Sequence, residues 1–314
     1  MTSVATLPCF AHLRGCLSIS LMALNTVCWT MPLFAVALGK AVVPLQRWRA
    51  LTGRIMVGLA NAWTACNNLI LTTVNRVEWR LSLPDGLNRR LNYLVIANHQ
   101  SWMDILALQK ALLRKAPFLR FFLKKSLIWV PFLGPAWWAL DFPFVGRGRR
   151  RDNSGDLGFV TRACRKYRQI PVSIMNFVEG TRFTAGKHRR QGSQYAHLLR
   201  PKAGGVAMVL GAMPDCLHGI LDVTIAYPAG LKSFWAFLCS RRQPVVVQVE
   251  ERPIETAPAG DYLADEGFRA AIQEWLNRLW ELKDRRLAEL IGPANGEPAD
   301  SRPEAEPALT SGRG

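Results

Sequence analysis

Hydrophobic residues are arranged in two ways along this chain. Near the amino terminus they run unbroken: residues 15–39 include no charged side chain, with Arg14 before them and Lys40 after. About 20 apolar residues suffice to cross a bilayer, so this run predicts a membrane helix, with Pro32 as a kink or an end. A cleaved signal peptide competes, because Ala35-Val36-Ala37 offers a small-residue cleavage site, but the run is longer than a signal h-region of about 7–15 residues. A second uncharged run, 55–75, is two-sided. Asn61, Thr64, Asn68, Thr72 and Asn75 recur at helical steps, while Ile55, Leu59, Trp63, Leu69 and Ile70 lie largely opposite. That pattern predicts a helix lying in the membrane interface, with a buried helix of a soluble domain as the alternative.

From residue 77 the pattern shortens. "VEWRLSL" alternates like a half-buried strand, and further strand candidates fall at 93–97, 142–145, 172–178, 221–227 and 245–250. Helical stretches at 101–114, 154–168 and 202–210 lie between them, and a long amphipathic helix follows with Phe268, Ile272, Trp275, Leu279 and Leu282 on one side. Strands alternating with helices predict an α/β layered sheet with flanking helices. The expected organisation is therefore membrane-spanning and interfacial helices over 1–76, an α/β domain over 77–291, and a disordered tail rich in Pro, Gly, Ala and Glu over 292–314.

Charge changes the picture next. The 314 residues carry a formal net charge of +17, which favours polyanions: nucleic acid, anionic lipid headgroups or phosphorylated substrates and carriers. Lys40, Arg47, Arg49 and Arg54 stand between the two apolar runs, and by the positive-inside rule they keep that connector cytoplasmic. An inner (cytoplasmic) membrane location with the α/β domain on the cytoplasmic side is the resulting expectation. Seven cysteines, with no CxxC pair, give neither a disulfide framework nor a zinc pattern. A nucleic-acid-binding protein anchored to the membrane fits the charge, yet the tryptophans and arginines form no recognisable binding module.

Candidate chemistry is concentrated in two places. "NYLVIANHQSWMDILAL" reads as strand then helix, placing His99 at the carboxyl end of a strand, where α/β sheets bind ligands. Ser101 and Asp104 have the spacing of a capping box. Asp104 can cap the helix and still face His99, and a carboxylate-paired imidazole is a better base, fixed in one tautomer. In "NFVEGTRFT", Glu179 and Arg182 flank Gly180-Thr181 after another strand. Arginine suits bidentate phosphate binding, and the alternative is a surface turn with a local ion pair of little worth. No G-x-S-x-G elbow is present, so a serine nucleophile has no support.

Taken in order, these stretches resemble the lysophospholipid acyltransferase family, the 1-acyl-glycerol-3-phosphate acyltransferases and their relatives, most of all the longer bacterial accessory acyltransferases. "NHQSWMD" is similar to that family's H-x4-D box and Glu179-Gly180-Thr181-Arg182 to its E-G-T-R box. "FLKKSLIWVPFLG", "FPFVGR", "PKAGG" and "VTIAYP" resemble the stretches between and after them. "EWLNRLWELKDR" matches the accessory type, and Gly146 stands where the family often has an acidic or other polar residue.

The resemblance implies a glycerol-3-phosphate acyltransferase-like fold. It implies His99 as general base, oriented by Asp104, deprotonating the free hydroxyl of a lysophospholipid such as lysophosphatidate. That hydroxyl attacks a thioester donor, acyl-CoA or acyl carrier protein (acyl-ACP). Arg147, Glu179, Gly180, Thr181 and Arg182 would bind the acceptor's glycerol phosphate, and Pro228 would belong to the acyl-side or structural part of the site. No metal and no bound cofactor is required, and an anionic membrane surface, not nucleic acid, is the expected partner. A non-catalytic lipid-binding relative is the remaining alternative.

Overall fold

The computed structural model describes residues 8–145, 171–231, 233–260, 262 and 264–292. Two helices open the chain, α1 (Pro8–Val42) and α2 (Gln46–Thr73). A layered unit follows: β1 (Glu78–Ser82), β2 (Asn92–Ala97), α3 (Met103–Leu112), β3 (Leu119–Phe121), β4 (Leu123–Lys124), a 3₁₀ turn (Lys125–Trp129), α4 (Leu133–Ala139), β5 (Phe144–Val145), β6 (Ser173–Phe177), α5 (Ala185–Gln191), α6 (Ala203–Ala212), β7 (Leu217–Ala226), α7 (Phe234–Cys239), β8 (Pro244–Pro253) and α8 (Glu266–Ile291).

Six strands form one mixed sheet in the order β1-β8-β7-β2-β6-β3, antiparallel only between β7 and β8. Central β2 is apolar at nearly every position because both faces are covered. Side chains alternate across a strand. Tyr93, Val95 and Ala97 join the core formed with α3, α1 and α2, while Leu94 and Ile96 join the core formed with α6 and α8. The α/β layered expectation is therefore met: helix, sheet, helix.

The amino-terminal helices share that first core through Leu33, Met56, Ala60 and Leu71, so the boundary at 76/77 marks a change of sequence character and not a separate core. Pro32 lies inside α1 without ending it. The basic connector shrinks to Val43-Pro44-Leu45, and Arg47, Arg49 and Arg54 lie in α2. The polar face of α2 turns inward. Thr64, Asn67 and Asn68 are buried, Asn25 donates to Asn67 Oδ1 at 2.9 Å and to the Trp63 carbonyl at 3.1 Å, and Ser18 donates to Asn75 Oδ1 at 3.0 Å. Exposed Ile55 and Leu69 face outward.

Both ends of α1 are fastened to the layered unit. Near its start Arg14 donates to the Cys239 carbonyl at 3.0 Å, and near its end Lys40 pairs with Asp141 at 3.5 Å. The 26 helical steps from Arg14 to Lys40 rise roughly 39 Å, so α1 lies along the side of the unit.

Several sequence expectations need correction. The strand expected at 142–145 is only Phe144–Val145 and pairs with Leu123–Lys124 outside the main sheet, because Pro143 has no amide to donate. The strand expected to stop at Glu250 continues to Pro253, because Arg252 is paired with Asp222 and Glu250. Leu282 is exposed. The buried place in that turn of α8 belongs to Lys283, whose Nζ donates to Asp222 at 2.5 Å and to the Val223 carbonyl at 2.7 Å. Burial pushes the Lys283 ammonium below its usual range, and Asp222 opposes that shift. The helix expected at 154–168 and the tail from 293 lie outside the described residues.

One glycine fixes how the lobe before β5 folds. A Cβ on Gly134 would stand 2.0 Å from the Ile128 carbonyl oxygen, so α4 packs onto the 3₁₀ turn only without a side chain there. Gly134→Ala is expected to cost about 1–3 kcal/mol, as overpacking does, read as a lower unfolding temperature.

Candidate active site

The parallel strands β2 and β6 end side by side, Ala97 opposite Phe177, and both loops that carry candidate chemistry leave from there. After β2, Asn98 turns back and exchanges two hydrogen bonds with Ile225, Nδ2 to its carbonyl and its amide to Oδ1, each 2.9 Å. This buried clamp brings His99 out over the sheet edge. Ser101 then caps α3, its hydroxyl accepting the Met103 amide at 3.2 Å. Asp104 Oδ2 reaches back to accept the amides of Gln100 at 2.6 Å and Ser101 at 2.8 Å.

The same oxygen meets His99 Nδ1 at 2.8 Å. Asp104 is thus both helix cap and imidazole partner. Its side chain is 0% exposed and that of His99 is 15% exposed. An ionised carboxylate accepts only, so Nδ1 carries the proton and Nε2 is left as the basic nitrogen. The ring stacks on Phe177, centroids 3.9 Å apart and 12° from parallel.

Sequence reasoning missed Tyr227. Its hydroxyl donates to Asp104 Oδ1 at 2.6 Å, so the second carboxylate oxygen is satisfied as well. Burial, then the adjacent Asp104, push the phenol well above its ordinary value of 10, which keeps it a donor. The signal was the stretch "VTIAYP", read there for Pro228; the tyrosine before the proline makes the contact. Tyr227→Phe leaves a buried carboxylate oxygen without its donor, a bond to a charged group worth about 1.5–3 kcal/mol. Activity is expected to fall about tenfold.

Glu179 corrects an expectation. It is 0% exposed and so does not face an acceptor. Its Oε1 accepts the His99 amide at 3.0 Å and its Oε2 the Leu199 amide at 3.1 Å, while the Phe183 amide donates to the His99 carbonyl at 2.7 Å. The Glu-Gly-Thr-Arg turn therefore grips the main chain of His99 from both sides. Burial raises the Glu179 carboxyl from 4.5 to about 8, with the two amides and Lys283 opposing and Asp104 adding to the rise. Gly180 has φ +67°, the left-handed region that favours glycine.

Beyond the turn the charge is exposed and positive. Arg182 stands over the Trp102 ring at 5.3 Å, and Lys187 Nζ donates to Thr181 Oγ1 at 2.7 Å and to the Arg182 carbonyl at 2.9 Å. Lys202 crosses beside Gly180, whose Cβ position lies 3.6 Å from Lys202 Nζ. Thr181 and Arg182 are thus together with His99, joined by Lys187 and Lys202, which sequence reasoning had not assigned. Arg147 lies outside the described residues. Among the described residues, no group of three or more His, Cys, Asp or Glu side chains is placed to hold a metal ion.

The segment that carries the carboxylate-held histidine and the neighbouring Glu-Gly-Thr-Arg turn matches the model of the Acyltransferase family over residues 79–228. The chain is similar to 1-acyl-sn-glycerol-3-phosphate acyltransferases. It is 31% identical over 115 residues to an uncharacterized acyltransferase of Schizosaccharomyces pombe, covering 36% of this chain and 38% of that protein. It is 25% identical over 173 residues to 1-acyl-sn-glycerol-3-phosphate acyltransferase gamma of Homo sapiens, covering 51% of this chain and 43% of that one. The chain thus spans about two fifths of the length of these curated relatives. The crystal structure of the 1-acyl-sn-glycerophosphate (LPA) acyltransferase PlsC from Thermotoga maritima shares the fold, with a TM-score of 0.56 at 16% identity over 91% of this chain and 100% of that one.

Proposed function

We propose that this protein moves a fatty acyl group from a thioester donor, acyl-coenzyme A or acyl carrier protein, to the free hydroxyl of a lysophospholipid such as lysophosphatidate. The observation that carries this reading is the 2.8 Å contact between His99 Nδ1 and a fully buried Asp104, which leaves Nε2 basic at the sheet edge. Nε2 takes the hydroxyl proton as the oxygen attacks the thioester carbonyl. The tetrahedral intermediate collapses with cleavage of the C–S bond, and the departing thiolate receives the proton from the imidazolium. The products are a diacyl lipid and a free thiol. No acyl-enzyme forms, and neither a metal nor a bound cofactor enters the scheme.

Thr181, Arg182, Lys187 and Lys202 line the turn beside His99 and suit the phosphate of the acceptor. Arg147 would bind the same phosphate. The hairpin of α1 and α2 supports attachment to the membrane: α1 is long and apolar enough to cross one, and its outer side exposes Phe10, Leu17, Leu24 and Met31. Because both ends of α1 are fastened to the layered unit, the hairpin is best accommodated lying within one leaflet, with Arg47, Arg49 and Arg54 held at the cytoplasmic surface of the inner membrane. The purified protein, given lysophosphatidate with acyl-CoA or acyl-ACP, is expected to yield phosphatidate by mass spectrometry. Free fatty acid as the sole acyl product would sink the transferase reading.

A further inference from the structure

A concave site lies at the edge of the sheet opposite His99. A groove of about 1750 Å³ runs between the hairpin and the loops at the amino end of β2, β3 and β6. The six residues of β2 separate it from His99 by roughly 20 Å. Arg49 and Arg54 of α2 line one wall, and Arg89, Arg90, Arg114 and Lys115 line the other. None of the six pairs with a carboxylate among the described residues. Lys40 also lines the groove and pairs with Asp141, the only acidic residue among the described residues that line it. Like charges gathered across two facing walls repel one another, and a bound anion relieves that repulsion.

The rest of the lining says what kind of anion. Ala37, Ala41, Ala50, Val57 and Phe118 make the floor apolar, and Trp138 stands at the mouth with 66% of its surface exposed. The hairpin tip beside it exposes Leu38, Val42 and Leu45 at 67%, 71% and 65%. Cations adjoining an apolar, outward-facing tip suit an amphiphile, whose phosphate meets the arginines while its glycerol and chains follow the alanines and the tip. An acidic protein would satisfy the charges and leave the apolar floor and tip uncovered.

We propose that this groove binds the anionic headgroup of a resident membrane phospholipid, at a site separate from the catalytic one. The bound lipid braces the hairpin against the layered unit. This inference rests on the hairpin lying in the membrane but not on the chemistry at His99, and its test does not read catalysis.

The test measures stabilisation of the purified full chain in neutral detergent by added phosphatidylglycerol, with lysophosphatidate present to occupy the catalytic site. Saturable stabilisation is expected for the wild type. Arg90→Gln/Arg114→Gln should bind about 30-fold more weakly, at about 1 kcal/mol per basic residue near a lipid surface. Arg80→Gln/Arg285→Gln, which removes the same charge from exposed positions elsewhere, should bind like the wild type. Equal weakening in both pairs, or no stabilisation, would overturn the proposal. Competition by inorganic phosphate at similar concentration would make this a site for free phosphate. Protection by an acidic acyl carrier protein instead of the lipid would make it a protein-docking face.

Discussion

Replacing His99 by alanine is expected to lower acyl transfer by about 10²–10⁴-fold, the range over which a positioned general base contributes. The fold should survive. His99 is held through its main chain, by Glu179 and Phe183, and these contacts do not need the imidazole. The loss should therefore fall on kcat with little change in unfolding temperature. Asp104 is a different kind of residue. Its Oδ2 also receives the Gln100 and Ser101 amides, so its removal breaks the start of α3 together with the base. A His99→Ala protein that keeps its full acyl-transfer activity would remove His99 from the role of general base.

The second large effect is expected at Glu179. Glu179→Ala leaves the His99 and Leu199 amides without acceptors in a buried setting, at about 1–3 kcal/mol each. A loss of stability of about 2–6 kcal/mol follows. Activity should drop about 10²-fold as well, since a misplacement of about 1 Å at a reacting group costs that much. The residue also makes stability depend on pH. The unfolded chain releases this proton near 4.5, whereas the folded chain keeps it to about 8. Folding therefore binds a proton between those values, and stability falls as pH rises from 4.5 to about 8 and then levels off. Glu179→Gln has no such proton. Its midpoint of denaturant unfolding should lose that slope even if it lies lower at every pH, because one amide then faces a side-chain NH2. An unchanged slope in Glu179→Gln would assign the pH dependence to other groups.

The site was partly legible in the sequence, for a physical reason. His99 and Asp104 are close along the chain, and strand-then-capped-helix geometry is a local rule, so their meeting followed from spacing. Glu179 is 80 residues from His99. Its charge and its place in a Gly-Thr-Arg turn suggested a surface ligand contact, and nothing local announced that it would be buried between two amides. Tyr227 was hidden the same way: it reaches Asp104 across 123 residues and reads along the chain as the last apolar residue of a strand. The fold shows the same division. Central strands β2, β6 and β7 stood out as apolar runs, whereas β8 ran past its expected end because Arg252 finds its partners in space. Lys283 took a buried place that periodicity gave to Leu282, because Asp222 waits across the interface.

Direct transfer driven by His99 is tested most directly by free thiol release from acyl-coenzyme A. Wild type and His99→Ala would be compared with and without lysophosphatidate, and with acyl carrier protein donors if coenzyme A donors give no release. Release that requires the acceptor and is lost in the variant is the expected result. Release that proceeds without acceptor, or that persists undiminished in His99→Ala, would contradict it.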